Sequence, residues 1–166
     1  MASVLNKIDE CAAGRVYKTR TPADIKGLVV HRNEEAEDAV GLADAFRTRP
    51  DLKEITGGQA PYHFVITRTG RIEQALPLDA IGAHVRGHNK STIGICCIGD
   101  FRKHKQTAEQ AKALHELCLQ LLTAYGLPLD AVKGHSEFPN VEKSCPGKYL
   151  DVAELRKTLV SSASAV

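Results

Sequence analysis

The stretch from Gly134 to Gly147, GHSEFPNVEKSCPG, puts a histidine, a lysine and a cysteine on one short loop. His135 and Cys145 are both suited to zinc, which binds imidazole nitrogen and thiolate sulfur alike. Two ligands do not close a site. A third candidate is His31, which follows the apolar run Gly27-Leu28-Val29-Val30. Two imidazoles and one thiolate leave a fourth tetrahedral position open, the arrangement of catalytic zinc. That position would take water, whose pKa zinc lowers to about 7, for attack on a carbonyl carbon. The oxyanion so formed needs a hydrogen-bond donor or a cation. Lys143, two residues before Cys145, offers an ammonium, and Tyr62 offers a hydroxyl. Amide hydrolysis is the chemistry such a set supports. Each residue also has a plain structural role open to it: His31 as the surface end of a strand, Lys143 as a solvated loop lysine, and Tyr62 at the edge of the core.

The elements that must position these side chains follow from patterning. Ile25 to His31 reads as a buried strand, because Leu28, Val29 and Val30 run without a polar break. The carboxyl end of such a strand is where open α/β sheets hold their chemistry. Asn33 to Phe46 reads as a helix capped by Asn33, with Ala36, Val40, Ala43 and Phe46 on one face. Arg47 to Ala60 is a long polar loop of the kind that binds ligands. Pro61 to Thr67 and Arg71 to Ala75 read as a hairpin turned at Thr69-Gly70. Leu76 to Gly87 is a connection carrying His84, and Thr92 to Ile98 (TIGICCI) is a strand apolar on both faces. A helix opens at Thr107, with Gln110 completing a capping box, and stops at Gly126. Ala131 to His135 is a short strand into the opening loop, and Asp151 caps a last helix to about Val160. This mixture predicts an α/β fold, a mixed sheet with helices on its faces.

Composition bounds the rest. A chain of 166 residues is expected to form one domain. The expected organisation is an N-terminal arm over 1–22, a catalytic domain over 23–160 and a short tail over 161–166. In the arm, Ser3 can cap a brief helix to Cys11. Twenty-two Lys and Arg against twenty Asp and Glu leave a net charge of +2. That is too mild to point to nucleic acid, and no basic run is interleaved with aromatics. Five cysteines at irregular spacing make a poor disulfide framework, and Cys96, Cys97 and Cys118 read as small buried hydrophobes in a reducing compartment. The N-terminus lacks the apolar core of a secretory signal, and no run approaches the roughly 18 apolar residues of a membrane span.

Four stretches in fixed order add a further reading: LVVH at 28–31, PYHFVITRTGRIEQA at 61–75, IGAHVRGHNKSTIGICCIGD at 81–100 and GHSEFPNVEKSCPG at 134–147. Through them the chain resembles the zinc N-acetylmuramoyl-L-alanine amidase superfamily, which includes bacteriophage amidase-type lysozymes and peptidoglycan recognition proteins. The resemblance implies a central mixed sheet of five or six strands flanked by helices, with Zn2+ in a surface cleft. It implies His31, His135 and Cys145 as zinc ligands, Tyr62 and Lys143 as catalytic residues, and His63 and His84 as residues lining the substrate groove. The implied reaction cleaves the amide between N-acetylmuramic acid and L-alanine of peptidoglycan. The implied setting is a phage or prophage endolysin: a monomer with no membrane anchor, held in the host cytoplasm until a holin-type protein opens the membrane. Two alternatives stand beside it. Wall-recycling amidases commonly carry aspartate where this chain has Cys145, and non-catalytic recognition modules tend to lose that cysteine.

Overall fold

A computed structural model describes residues 1–12, 17–49, 60–141 and 143–164. Its first element was not expected. Val4–Asn6 (β1) is a strand, followed by the short helix Ile8–Ala12 (α1). Then come Gly27–Asn33 (β2), Ala39–Arg47 (α2), Phe64–Ile66 (β3), Ile72–Gln74 (β4), Thr92–Ile98 (β5), Ala108–Tyr125 (α3), Val132–Gly134 (β6) and Val152–Ala163 (α4). The strands form one six-stranded sheet in the order β1-β4-β3-β5-β2-β6. Among the strands of the described residues, β3 and β4 pair antiparallel, as a hairpin turned through Gly70 at φ 80°, and the other four pairings are parallel. The α/β class and the strand number agree with expectation.

Alternation along β2 decides which face is core and which carries chemistry. Leu28 and Val30 point to one face, with Ile93 and Ile95 of β5, and pack beneath Leu114, Leu117 and Leu121 of α3 and Leu159 of α4. Val29 and His31 point to the other face, beside Gly94 and Cys96 of β5 in register. There Cys96 and Ile98 pack with Leu42 and Ala43 of α2 and Cys11 of α1. A parallel strand flanked on both sides must be apolar on both faces. His31 is therefore a polar residue in a place built for valine.

The caps explain several boundaries. Thr107 accepts from the amide of Gln110 at 3.0 Å, and the Gln110 side chain accepts from the Thr107 amide at 3.3 Å, so α3 begins where the capping box predicts. It ends at Gly126, whose φ of 60° suits glycine. Asp151 caps α4 by accepting from Ala153 and Glu154, and the helix runs on to Ala163. The cap expected at Asn33 is displaced. Its carboxamide accepts from the amides of Glu35 and Ala36 and closes a local turn instead. The helix α2 starts only at Ala39, capped by Asp38, while buried Glu73 of β4 accepts from the Ala39 amide at 2.7 Å. The proposed binding loop lies outside the described residues at 50–59. Among the described residues no helix is long and apolar enough to cross a membrane.

Candidate metal centre

Strand order brings the candidate ligands together. β2 lies between β5 and β6, all parallel, so their carboxyl ends share one edge of the sheet. His31 is near the end of β2, and His135 is the first residue after β6. Cys145 returns on the following loop, where the Ser136 amide donates to the Cys145 carbonyl at 2.8 Å and closes it. The far side of this loop lies against Phe101. Gly147 adopts φ 122°, and a Cβ there would come within 2.4 Å of the Phe101 carbonyl carbon, so only glycine fits. Glu137 steadies the turn at His135: its carboxylate accepts from the Gly134 amide at 2.6 Å and from Arg156 at 3.0 Å.

The candidate donor atoms of His31, His135 and Cys145 lie within 4.8 Å of one another. Cys145 Sγ is 3.9 Å from His31 Nδ1, and the two imidazole centroids are 4.6 Å apart. Bonds of ~2.0 Å to nitrogen and ~2.3 Å to sulfur in a tetrahedron separate donors by about 3.5 Å, so the set fits zinc with little movement. His31 is 1% exposed, and burial with the neighbouring His84 and His135 lowers its pKa well below the usual histidine value. It is thus neutral, as a metal-binding imidazole must be.

Tyr62 packs against this cluster, and Lys143 lies on the loop between His135 and Cys145. The Tyr62 ring lies 4.9 Å from that of His31 and edge-on to Phe46 of α2 at 6.3 Å. Burial, then the thiols of Cys96 and Cys145, raise its pKa well above the usual phenol value, so the hydroxyl keeps its proton. Lys143 is exposed and donates to the carbonyls of Phe138 at 2.7 Å and Ser136 at 3.1 Å. It also lines a cavity of about 810 Å³ with Arg102, Ser136, Ser144 and Arg156.

The two other expected histidines, His63 and His84, are both buried. His63 is 0% exposed; its Nδ1 accepts from the Gly94 amide at 3.0 Å and its Nε2 donates to the Ala80 carbonyl at 2.8 Å. His84 is 8% exposed and turns inward, its Nδ1 2.9 Å from His31 Nε2. Sequence patterning missed Arg20, which is buried and donates to the carbonyls of Leu78, Asn89, Lys90 and Thr92. It holds the connection that carries His84. A lone arginine in a stretch of broken periodicity gives no local sign of this, because all four acceptors are distant in sequence.

The N-acetylmuramoyl-L-alanine amidase family matches residues 21–148. The endolysin of Enterobacteria phage K11 is 32% identical over 90 residues, which are 51% of this chain and 57% of that protein. The chain thus spans about half the length of the curated relatives it matches. Among solved structures, the amidase LysC from Clostridium intestinale superposes with a TM-score of 0.74 at 20% identity, covering 96% of this chain and 99% of that one. The endolysin of the Thermus scotoductus bacteriophage Ph2119 gives 0.73 at 25% identity, covering 95% and 99%. With the matched span running from before β2 to beyond Cys145, the chain belongs to the N-acetylmuramoyl-L-alanine amidase family.

Proposed function

We propose that this chain is a zinc-dependent N-acetylmuramoyl-L-alanine amidase acting as a phage or prophage endolysin. The observation that carries this reading is the convergence of His31, His135 and Cys145 at one sheet edge, with the Tyr62 ring against His31. The reaction adds water across the amide between the lactyl carbonyl of N-acetylmuramic acid and the amine of L-alanine. It yields a carboxylate on the sugar and a free amine on the stem peptide. Zinc, when bound, supplies Lewis acidity and an activated water.

The protein side chains do the rest. Neutral His31 and His135 and the thiolate of Cys145 would hold the ion. Tyr62 keeps its proton and can donate it to the substrate oxygen on which charge develops. Lys143 has three N–H donors, two directed to the Ser136 and Phe138 carbonyls. The third would reach the same substrate oxygen from the loop side. The endolysin relatives support a role in wall lysis. In that role the protein waits in the host cytoplasm and meets the wall once another protein breaches the membrane.

The test pairs zinc content with products from purified peptidoglycan, with and without a chelator. The expected result is one zinc per chain and chelator-sensitive release of stem peptides with free L-alanine amines. New reducing sugar ends would sink the amidase mechanism. Zinc and wall binding without release would make the chain a recognition module.

A further inference from the structure

His31 presents two nitrogens, and the surrounding hydrogen bonds decide which one carries the proton. The chain of contacts can be followed from its far end. Thr92 Oγ1 lies 2.8 Å from the His88 carbonyl, which can only accept, so the Thr92 hydroxyl donates there. Its oxygen is then left to accept from His84 Nε2 at 3.4 Å, a long bond. A neutral His84 protonated on Nε2 bears its lone pair on Nδ1. That lone pair faces His31 Nε2 at 2.9 Å and can accept only if His31 is protonated there. His31 Nδ1 therefore carries the lone pair, and Nδ1 is the atom 3.9 Å from Cys145 Sγ.

The His84 ring is held in the position this requires. The amides of His84 and Val85 both donate to the Asn89 side chain at 2.8 Å. The ring lies on Gly94 of β5, where a Cβ would come within 2.8 Å of its Cγ. Gly82 also borders the ring, since a Cβ there would meet its Cδ2 at 3.1 Å. Space for the imidazole thus depends on two glycines, and its orientation on Asn89.

We propose that His84 is a positioning residue for the metal centre: by accepting a hydrogen bond from His31 Nε2–H it fixes the tautomer in which the Nδ1 lone pair faces Cys145. This rests on the reading of His31 as a metal ligand. Outer partners of ligating histidines commonly tune metal affinity by 10–100-fold, roughly. The partner here is a second histidine, which has no charge of its own to add and acts through proton placement.

Two measurements test this. Side-chain 15N NMR of the metal-free, unmodified protein at neutral pH reads the tautomers directly. Both His31 and His84 are expected as Nε2–H; an Nδ1–H tautomer at His31 overturns the proposal. Zinc affinity by chelator competition is then compared for the native protein, His84→Ala and His84→Asn. Asparagine places an acceptor oxygen where Nδ1 stood. The alanine variant is expected to bind about 10–100-fold more weakly and the asparagine variant to recover most of the loss. Equal weakness in both variants, or none in either, removes the hydrogen-bond role. Should the native protein bind no zinc, the metal reading fails separately, and the tautomer spectrum still decides whether His84 sets the His31 proton.

Discussion

Cys145 Sγ stands 3.9 Å from His31 Nδ1 although 114 residues separate the two in the chain. One comes from an interior strand and the other from the loop that follows the last strand of the sheet. Nothing local draws them together; the parallel pairing of β2 with β6 does. Cys145→Ser keeps the size of the side chain and replaces a soft thiolate with a neutral hydroxyl. Zinc affinity should fall by more than about a hundredfold, beyond the range for losing an outer partner. Chelator competition on the purified variant checks this, with circular dichroism to show that the fold is retained.

Lys143 gives the opposite signature. Its ammonium is directed to loop carbonyls and lines the adjoining cavity, without joining the ligand set. Lys143→Ala should therefore retain zinc while kcat on peptidoglycan falls about a hundredfold, the scale of losing one oxyanion donor. Loss of zinc in this variant would mean that the lysine instead organises the ligand loop.

Acid should destabilise the metal-free protein through His63. Burial and the adjacent Arg20 push its pKa down to about 3, against an unfolded value near 6.5. The folded state thus binds fewer protons between these values, so stability rises with pH across the window. The contribution is complete above about pH 6.5 and is lost progressively as pH falls toward about 3. At about pH 5 the loss from this residue alone is about 2 kcal/mol. Urea unfolding at about pH 5 and 7.5 should show a steeper pH dependence in the native protein than in His63→Gln, which cannot titrate.

Arg20 ties the N-terminal segment to the connection over 78–92. Arg20→Ala leaves its carbonyl acceptors short of a donor in the interior, at a cost of about 3 kcal/mol. Thermal unfolding should report a lower midpoint. Arg20→Lys should recover little, because one ammonium cannot reproduce the geometry of a guanidinium fork.

The extent to which all this was legible in the sequence differs by element. β5 and α3 are local facts. Seven apolar or small residues specify the strand, and Thr107, Gln110 and Gly126 mark the helix ends within a few bonds of themselves. The ligand types were also legible, since His31, His135 and Cys145 are chemically conspicuous beside apolar strands. α2 was less so: Asn33 competes with Asp38 for the cap, and buried Glu73, brought in by the sheet, meets the Ala39 amide where the helix begins. The strand β1 was illegible because three residues carry no period, and only pairing with β4 makes them a strand.

By itself the sequence determined which side chains could do chemistry and which stretches had to be strand or helix, because those follow from residue type and short-range spacing. Tertiary structure alone decided that the two histidines and the cysteine share one point, and that His63 and His84 turn inward. It also decided that Arg20 reaches four distant carbonyls. Each of these depends on strand order and on side-chain direction across the sheet. Such relations couple residues far apart in the chain, where no local pattern can record them.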